Sequence, residues 1–205
     1  MGVPRFEGEF GPRVTACNGR VLNTKLLGRL LSPDLEKITI LVYRYHDFDF
    51  REGRTALQSR TSLINCLCRA AERGVHVTFM TRDPFTEHPM LHGHSASAWY
   101  RGLEALASCD GADVLVHNSL HAKVYLAKSI DGRVFYAVGS SNLTFQGMGF
   151  RWAECNVIGY TSLEYLEVEK EVMRIISSRD TSDLNDWARK AHKHPAGLPF
   201  FTSAV

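Results

Sequence analysis

Residues 38–43 read Ile-Thr-Ile-Leu-Val-Tyr, a β-branched run in which apolar side chains do not alternate with polar ones. A strand of this kind has both faces covered, because successive side chains point to opposite sides of a sheet. Val75 to Met80 reads as the next strand. Between them, Leu57, Ile64, Leu67, Cys68 and Ala71 recur at helical spacing over Thr55 to Arg73, and Gly74 follows as the helix C-cap. Strand, helix, strand in that order restricts the chain to a layered α/β fold.

The remaining segments extend the pattern. Gly19 to Leu31 places Val21-Leu22, Leu26-Leu27 and Leu30-Leu31 on a helical period, and Ser32-Pro33 stops it; the residues before it read as irregular. Tyr45 to Gly53 is a polar-aromatic loop, and Thr81 to His94 is a loop rich in His and Pro. Ser97 to Ser108 is helical with Trp99, Leu103 and Leu106 inward, and Asp113 to His117 is a short strand. Ala122 to Lys128 and Arg133 to Val138 flank Asp131-Gly132, a strong hairpin signal. Cys155 to Tyr160 is a strand, and Ser162 to Ser178 and Ser182 to His192 are helices. The expected fold is therefore α/β, a mixed β-sheet flanked by helices. It forms a single domain over residues 1–205, with its core at about 20–178 and a C-terminal helix and tail at 179–205. With 205 residues, 44% hydrophobic and 22% charged, the chain can bury such a core without disulfides or metals.

The formal charge is only +2, which excludes a highly basic coat protein but allows a local basic site. The N-terminus lacks the apolar core of a signal peptide, and no stretch has the apolar length of a membrane span. Glu7 stands where a myristoylation signal needs Ser or Thr. Five cysteines without a CxxC pair read as buried, reduced thiols, so a cytoplasmic protein with no membrane partner is expected.

Chemistry collects in His121-Ala122-Lys123-Val124-Tyr125-Leu126, then Val138-Gly139-Ser140-Ser141-Asn142, then Glu154. On an extended strand His121 and Lys123 share one face, while Val124 and Leu126 point to the core. The Gly139–Asn142 loop follows the hairpin's second strand and so lies near the open end of the first. Its small residues let backbone N–H groups approach an anion, and Asn142 can donate its amide. Glu154 opens the next strand and can reach the same place. A base or nucleophile, a cation, neutral donors and an orienting carboxylate suit phosphoryl transfer.

His121-x-Lys123, Gly139-Ser140-x-Asn142 and Glu154 within Ala153-Glu154-Cys155-Asn156-Val157 together resemble the signature of the phospholipase D superfamily, in its single-motif, nuclease-like branch. The resemblance runs from about Leu22 to Ile176. It implies His121 as a nucleophile forming a phosphohistidine, Lys123 and Asn142 on the non-bridging oxygens with Ser140 assisting, and Glu154 orienting the imidazole. No metal or other cofactor is implied, because Lys123 and Asn142 supply the charge stabilisation. No second His-x-Lys exists in the chain, so the resemblance implies a homodimer in which two His121 side chains meet at the axis. The family pattern has Asp five residues after the Lys, where this chain has Lys128; Asp131 lies in the turn and is no replacement. In the family that Asp has a supporting role, so its loss bears on phospholipid substrates more than on catalysis.

The expected function is a metal-independent phosphodiesterase or endonuclease acting on DNA or RNA, with sequence specificity left to a separate partner such as a helicase. The alternatives are a phospholipid hydrolase, or a non-catalytic nucleic-acid-binding or regulatory module. An isolated His-x-Lys would be read as a solvated strand edge, and Asn142 alone as a turn residue. Tyr43-Arg44-Tyr45-His46 mixes cations and aromatics as nucleic-acid platforms do, which makes Tyr43 and Tyr45 candidate substrate contacts beside Ser140 and Ser141. The tyrosines equally suit the end of a core strand. His88, His92 and His94 have metal-like spacing, but without Cys or acidic partners they read as a solvated loop. Cys66 and Cys68 read as helix packing residues.

Overall fold

The computed structural model describes residues 14–50, 60–83, 94–144, 146–150 and 153–191. Eight strands form one sheet in the order β1-β7-β6-β5-β2-β3-β4-β8. The strands are β1 (Val14–Cys17), β2 (Leu35–Val42), β3 (His76–Arg82), β4 (Ala112–His117), β5 (Lys123–Ser129), β6 (Val134–Gly139), β7 (Asn156–Gly159) and β8 (Thr181–Asp183). β2, β3 and β4 are parallel and the other pairings antiparallel, which is the mixed α/β sheet that the alternation of elements predicts. The helices are α1 (Gly19–Leu30), α2 (Leu63–Glu72), α3 (His94–Ala107), α4 (Ser162–Ile176) and α5 (Leu184–Ala191), with a π-helical turn at Gln146–Phe150.

Both faces of the central strands are covered. On one face Ile38, Ile40, Phe79, Tyr125 and Phe135 pack with Leu22, Leu26 and Leu30 of α1, Leu63 and Leu67 of α2, Leu103 and Leu106 of α3, and Trp187 of α5. On the other, Leu41, Met80, Val124, Leu126 and Tyr136 pack with Tyr165 and Val172 of α4. Each fully buried leucine contributes on the order of 2 kcal/mol. Four helices and one helix thus sandwich a sheet whose core strands read as continuous apolar runs.

Local chemistry sets the element ends. Asn18 caps α1 by accepting from Val21 N at 3.0 Å, and Ser62 caps α2 by accepting from Asn65 N at 3.2 Å. α2 therefore starts at Leu63, later than the Thr55 start that periodicity predicts; residues 51–59 lie outside the described residues. The β5–β6 hairpin turns where Asp131-Gly132 predicts it. Gly132 takes φ +83°, with its N–H donating to Ser129 O, and Asp131 accepts from Arg133 N. The expected irregular start contains β1, and β8 precedes the last helix where continuous helix from Ser182 was expected.

Pairing places one end of the sheet at the ends of six strands. Val42 pairs with Thr81 and with Lys123, Arg82 with His117, Val124 with Val138, and Gly139 with Asn156. The ends of β2, β3, β4 and β6 and the starts of β5 and β7 therefore converge, and the motif residues lie on the connections there.

Candidate active site

Lys123 is the first residue of β5, and His121 precedes the strand rather than lying within it. Lys123 is buried, and its ammonium donates to His121 O at 2.9 Å. Its Nζ also lies 3.4 Å from each nitrogen of the His121 ring. The Tyr43 ring packs on the other side of this pair, 4.8 Å from the His121 ring centroid and 5.0 Å from Lys123 Nζ. Backbone, cation and aromatic ring thus hold an exposed imidazole at the sheet edge.

Asn142 lies at the same end of the sheet because its loop is laced to the segment after β2. Arg44 N donates to Asn142 Oδ1 at 2.9 Å, Leu143 N to Arg44 O at 3.2 Å, and His46 N to Leu143 O at 3.0 Å. With Oδ1 occupied by a backbone donor, the Asn142 NH₂ is left as the donating end of the amide.

The loop's interior differs from the expectation. Ser141 is fully buried: Asn156 Oδ1 accepts from its N–H at 3.2 Å, Asn156 Nδ2 donates to its Oγ at 2.8 Å, and Tyr125 OH donates to its carbonyl at 2.7 Å. Burial, and then the charge of Glu154, push the Tyr125 phenol well above its ordinary pKa, so it stays a donor. Ser140 Oγ donates to a Glu154 carboxylate oxygen and accepts from Cys155 N, while Ser140 N donates to Cys155 O. The N–H groups of Ser140, Ser141, Leu143 and Thr144 are all used inside the protein, so they form no backbone anion cradle. Ser140 and Ser141 accordingly hold the loop and Glu154 in place, Ser141 from a buried position and Ser140 from an exposed one. At Gly139 a Cβ would overlap Asn156 Oδ1 and come within 2.6 Å of Cys155 O, so this close approach needs glycine.

Tyr43 lies at the site, whereas Tyr45 is buried edge-on against Phe79 at 5.3 Å and belongs to the core. Glu154 precedes β7 and accepts from Ser140 Oγ. Lys128, at the usual Asp position, lies at the far end of β5, about 17 Å along the strand from Lys123. There it pairs with Glu36 at 3.2 Å. His117 also ends at this edge but is turned inward: its Nδ1 accepts from Ser119 N at 3.1 Å, and its Nε2 lies 3.3 Å from Ser178 Oγ. Burial lowers its pKa from the ordinary 6.5.

Three residues at the site escaped the sequence reading. Asn156 and Tyr125 anchor the loop, and Arg82, the last residue of β3, places its guanidinium 5.3 Å from the Tyr43 ring centroid. An Asn inside an expected strand runs against strand preference, and that was the available signal for Asn156. Of the cysteines expected to be buried, Cys66 is; Cys17, Cys68 and Cys109 are half-buried, and Cys155 is exposed. His88 and His92 lie outside the described residues; among the described residues no group of three or more His, Cys, Asp or Glu is arranged to hold a metal ion. A concave region lined by Glu72, Val75, His76 and Cys109 opens at the opposite edge of the sheet and shares no residue with the site. No described helix is long and apolar enough to cross a membrane.

No curated protein sequence matches the chain. Among solved structures, it is similar to Nuc from Salmonella typhimurium, a phospholipase D family member (15% identity, TM-score 0.54, covering 83% of this chain and 95% of that one). NucT from Helicobacter pylori is similar at 15% identity and TM-score 0.55, over 80% of this chain and 96% of that one. A phosphatidylserine synthase from Haemophilus influenzae Rd KW20 matches at 20% identity and TM-score 0.55, over 83% of this chain and 39% of its own. These likenesses are of fold. The family model described as cardiolipin synthase, PLD-like domain, matches residues 36–179, more than two thirds of the sequence and every motif residue at the sheet edge, and the chain belongs to this phospholipase D-like family.

Proposed function

We propose that the chain is a phosphodiesterase acting on nucleic acid, with His121 as nucleophile and no divalent metal, at a centre completed by a second copy of the chain. The His121–Lys123 pair, with the Asn142 loop laced to the neighbouring Arg44 segment at the same end of the sheet, is the observation that carries this reading. An imidazole nitrogen of His121 attacks phosphorus, and the P–N bond forms as the bridging P–O bond breaks. The leaving oxygen takes a proton from the partner's His121. Water then attacks the phosphohistidine, gives its proton to that same histidine and frees the nucleophile. Lys123 and Asn142 bear on the non-bridging oxygens, where negative charge concentrates in the transition state. Tyr43 packs against the imidazole, and Ser140 holds the Glu154 carboxylate.

A second reading, a phospholipid phosphodiester as substrate, is favoured by the description of the matched family. One experiment separates them. Purified protein is incubated in EDTA with labelled single- and double-stranded DNA and RNA, and with phosphatidylglycerol vesicles. Strand cleavage is expected to persist in EDTA and to fall by at least about 10²-fold in His121→Ala. Activity lost in EDTA and restored by Mg²⁺ overturns the metal-free mechanism, and lipid turnover without strand cleavage selects the second reading.

A further inference from the structure

Three cationic groups surround the Tyr43 ring: Lys123 Nζ at 5.0 Å from its centroid, Arg44 Cζ at 5.1 Å and Arg82 Cζ at 5.3 Å. Lys123 belongs to the imidazole. The two guanidinium groups come from elsewhere: Arg44 from the segment laced to the Asn142 loop, and Arg82 from the end of β3. Arg44 also directs Nη2 to within 3.5 Å of the Tyr43 hydroxyl, which holds it at the ring's polar tip. Guanidinium forks match phosphate oxygens in geometry.

We infer that Arg44 and Arg82, mounted on the Tyr43 ring, form a second phosphate subsite that takes the phosphate next to the scissile one on a nucleic-acid strand. The inference rests on the phosphodiesterase reading for placing the scissile phosphate at His121. The Tyr43 ring is in contact with His121, so each guanidinium lies within about 10 Å of the imidazole. Successive phosphates on one strand follow every ~3.4 Å of helical rise, so a neighbour of the scissile phosphate falls within this distance. A substrate with a single phosphodiester leaves the subsite empty, and a polynucleotide fills it. The site thereby selects a chain of phosphates over an isolated diester.

The test measures binding to His121→Ala protein, which holds substrate without turning it over. The ligands are the dinucleotide TpT and its forms bearing a terminal phosphate, pTpT and TpTp, with thermal unfolding as the folding control. At least one phosphorylated form is expected to bind about tenfold tighter than TpT. That advantage should shrink to roughly twofold or less with Arg82→Gln added, and likewise with Arg44→Gln, so that one informative variant suffices if the other fails to fold. Arg174→Gln, the same charge change at an exposed position of α4 paired with Glu171, is expected to keep the advantage. Equal binding of all three ligands, an advantage that survives both variants, or its equal loss in Arg174→Gln overturns the subsite. Tighter binding to phosphatidylglycerol vesicles than to any nucleotide, lost in the same variants, overturns it in favour of lipid. Wild-type protein assayed in parallel separates the two readings. An arginine-dependent phosphate advantage without cleavage of any nucleotide leaves the subsite standing and removes the catalytic role.

Discussion

The residue most responsible for the geometry of the site touches none of its expected chemistry. Asn156 spends both ends of its amide on Ser141, and Tyr125 takes the Ser141 carbonyl, so the buried side of the loop is pinned by three hydrogen bonds. Asn142 on the next residue inherits its position from them. Asn156→Ala leaves the Ser141 N–H and hydroxyl buried without those partners. Each orphaned group is expected to cost about 1–3 kcal/mol, read as a lower denaturant midpoint. Turnover is expected to fall through kcat as the Asn142 amide drifts, with Tyr125→Phe milder in both respects. An Asn156→Ala protein of unchanged stability would show that water replaces the amide. The placement of His121, Lys123 and Asn142 at one end of the sheet was legible in sequence because their spacing and order carry the pattern. The parts played by Ser140, Ser141 and Asn156 were not, since motif spacing does not say which side of a loop faces inward.

At the scale of elements, the central strands and the main helices were legible because their apolar periodicity is determined by burial on both faces. The failures are short edge elements. β1 is four largely exposed residues paired to β7, and β8 is Thr181-Ser182-Asp183 beside β4; long-range pairing alone makes them strands. The corner where β4 meets the end of α4 depends on His117, whose Nδ1 accepts a backbone N–H and therefore requires the neutral ring. Burial holds its folded pKa below the ordinary 6.5, with Asp180 offsetting part of the shift. As pH falls through 6.5 the unfolded chain takes up the proton first, so stability present above that value is lost on acidification until the depressed folded pKa is passed. Between pH 7.5 and 5.5, wild type is expected to lose more stability than His117→Gln, measured by urea unfolding at both pH values. An identical loss in the two proteins would show that the corner tolerates the cation.

At the scale of the whole molecule, a balanced formal charge of +2 coexists with Lys123, Arg44 and Arg82 gathered at one sheet edge, so the attraction for an anion is local rather than general. That edge offers one His121, and the proposed reaction needs a second imidazole to protonate the leaving oxygen. Among the neighbouring histidines at the edge, His117 is committed to Ser119 and Ser178. Two chains related by a two-fold axis supply both imidazoles by symmetry. The shared centre is tested by mixing equal amounts of wild-type and His121→Ala chains, with tags to verify complete exchange. If each centre needs both histidines, a mixed dimer lacks either its nucleophile or its acid. Random pairing then leaves about one quarter of the dimers active, and activity is expected to drop to roughly half that of the wild-type input. If each chain carries a complete site, the mixed dimer keeps one working centre and the input activity is preserved. Preserved activity after verified exchange would remove the partner's His121 from the reaction and require the proton to come from within one chain.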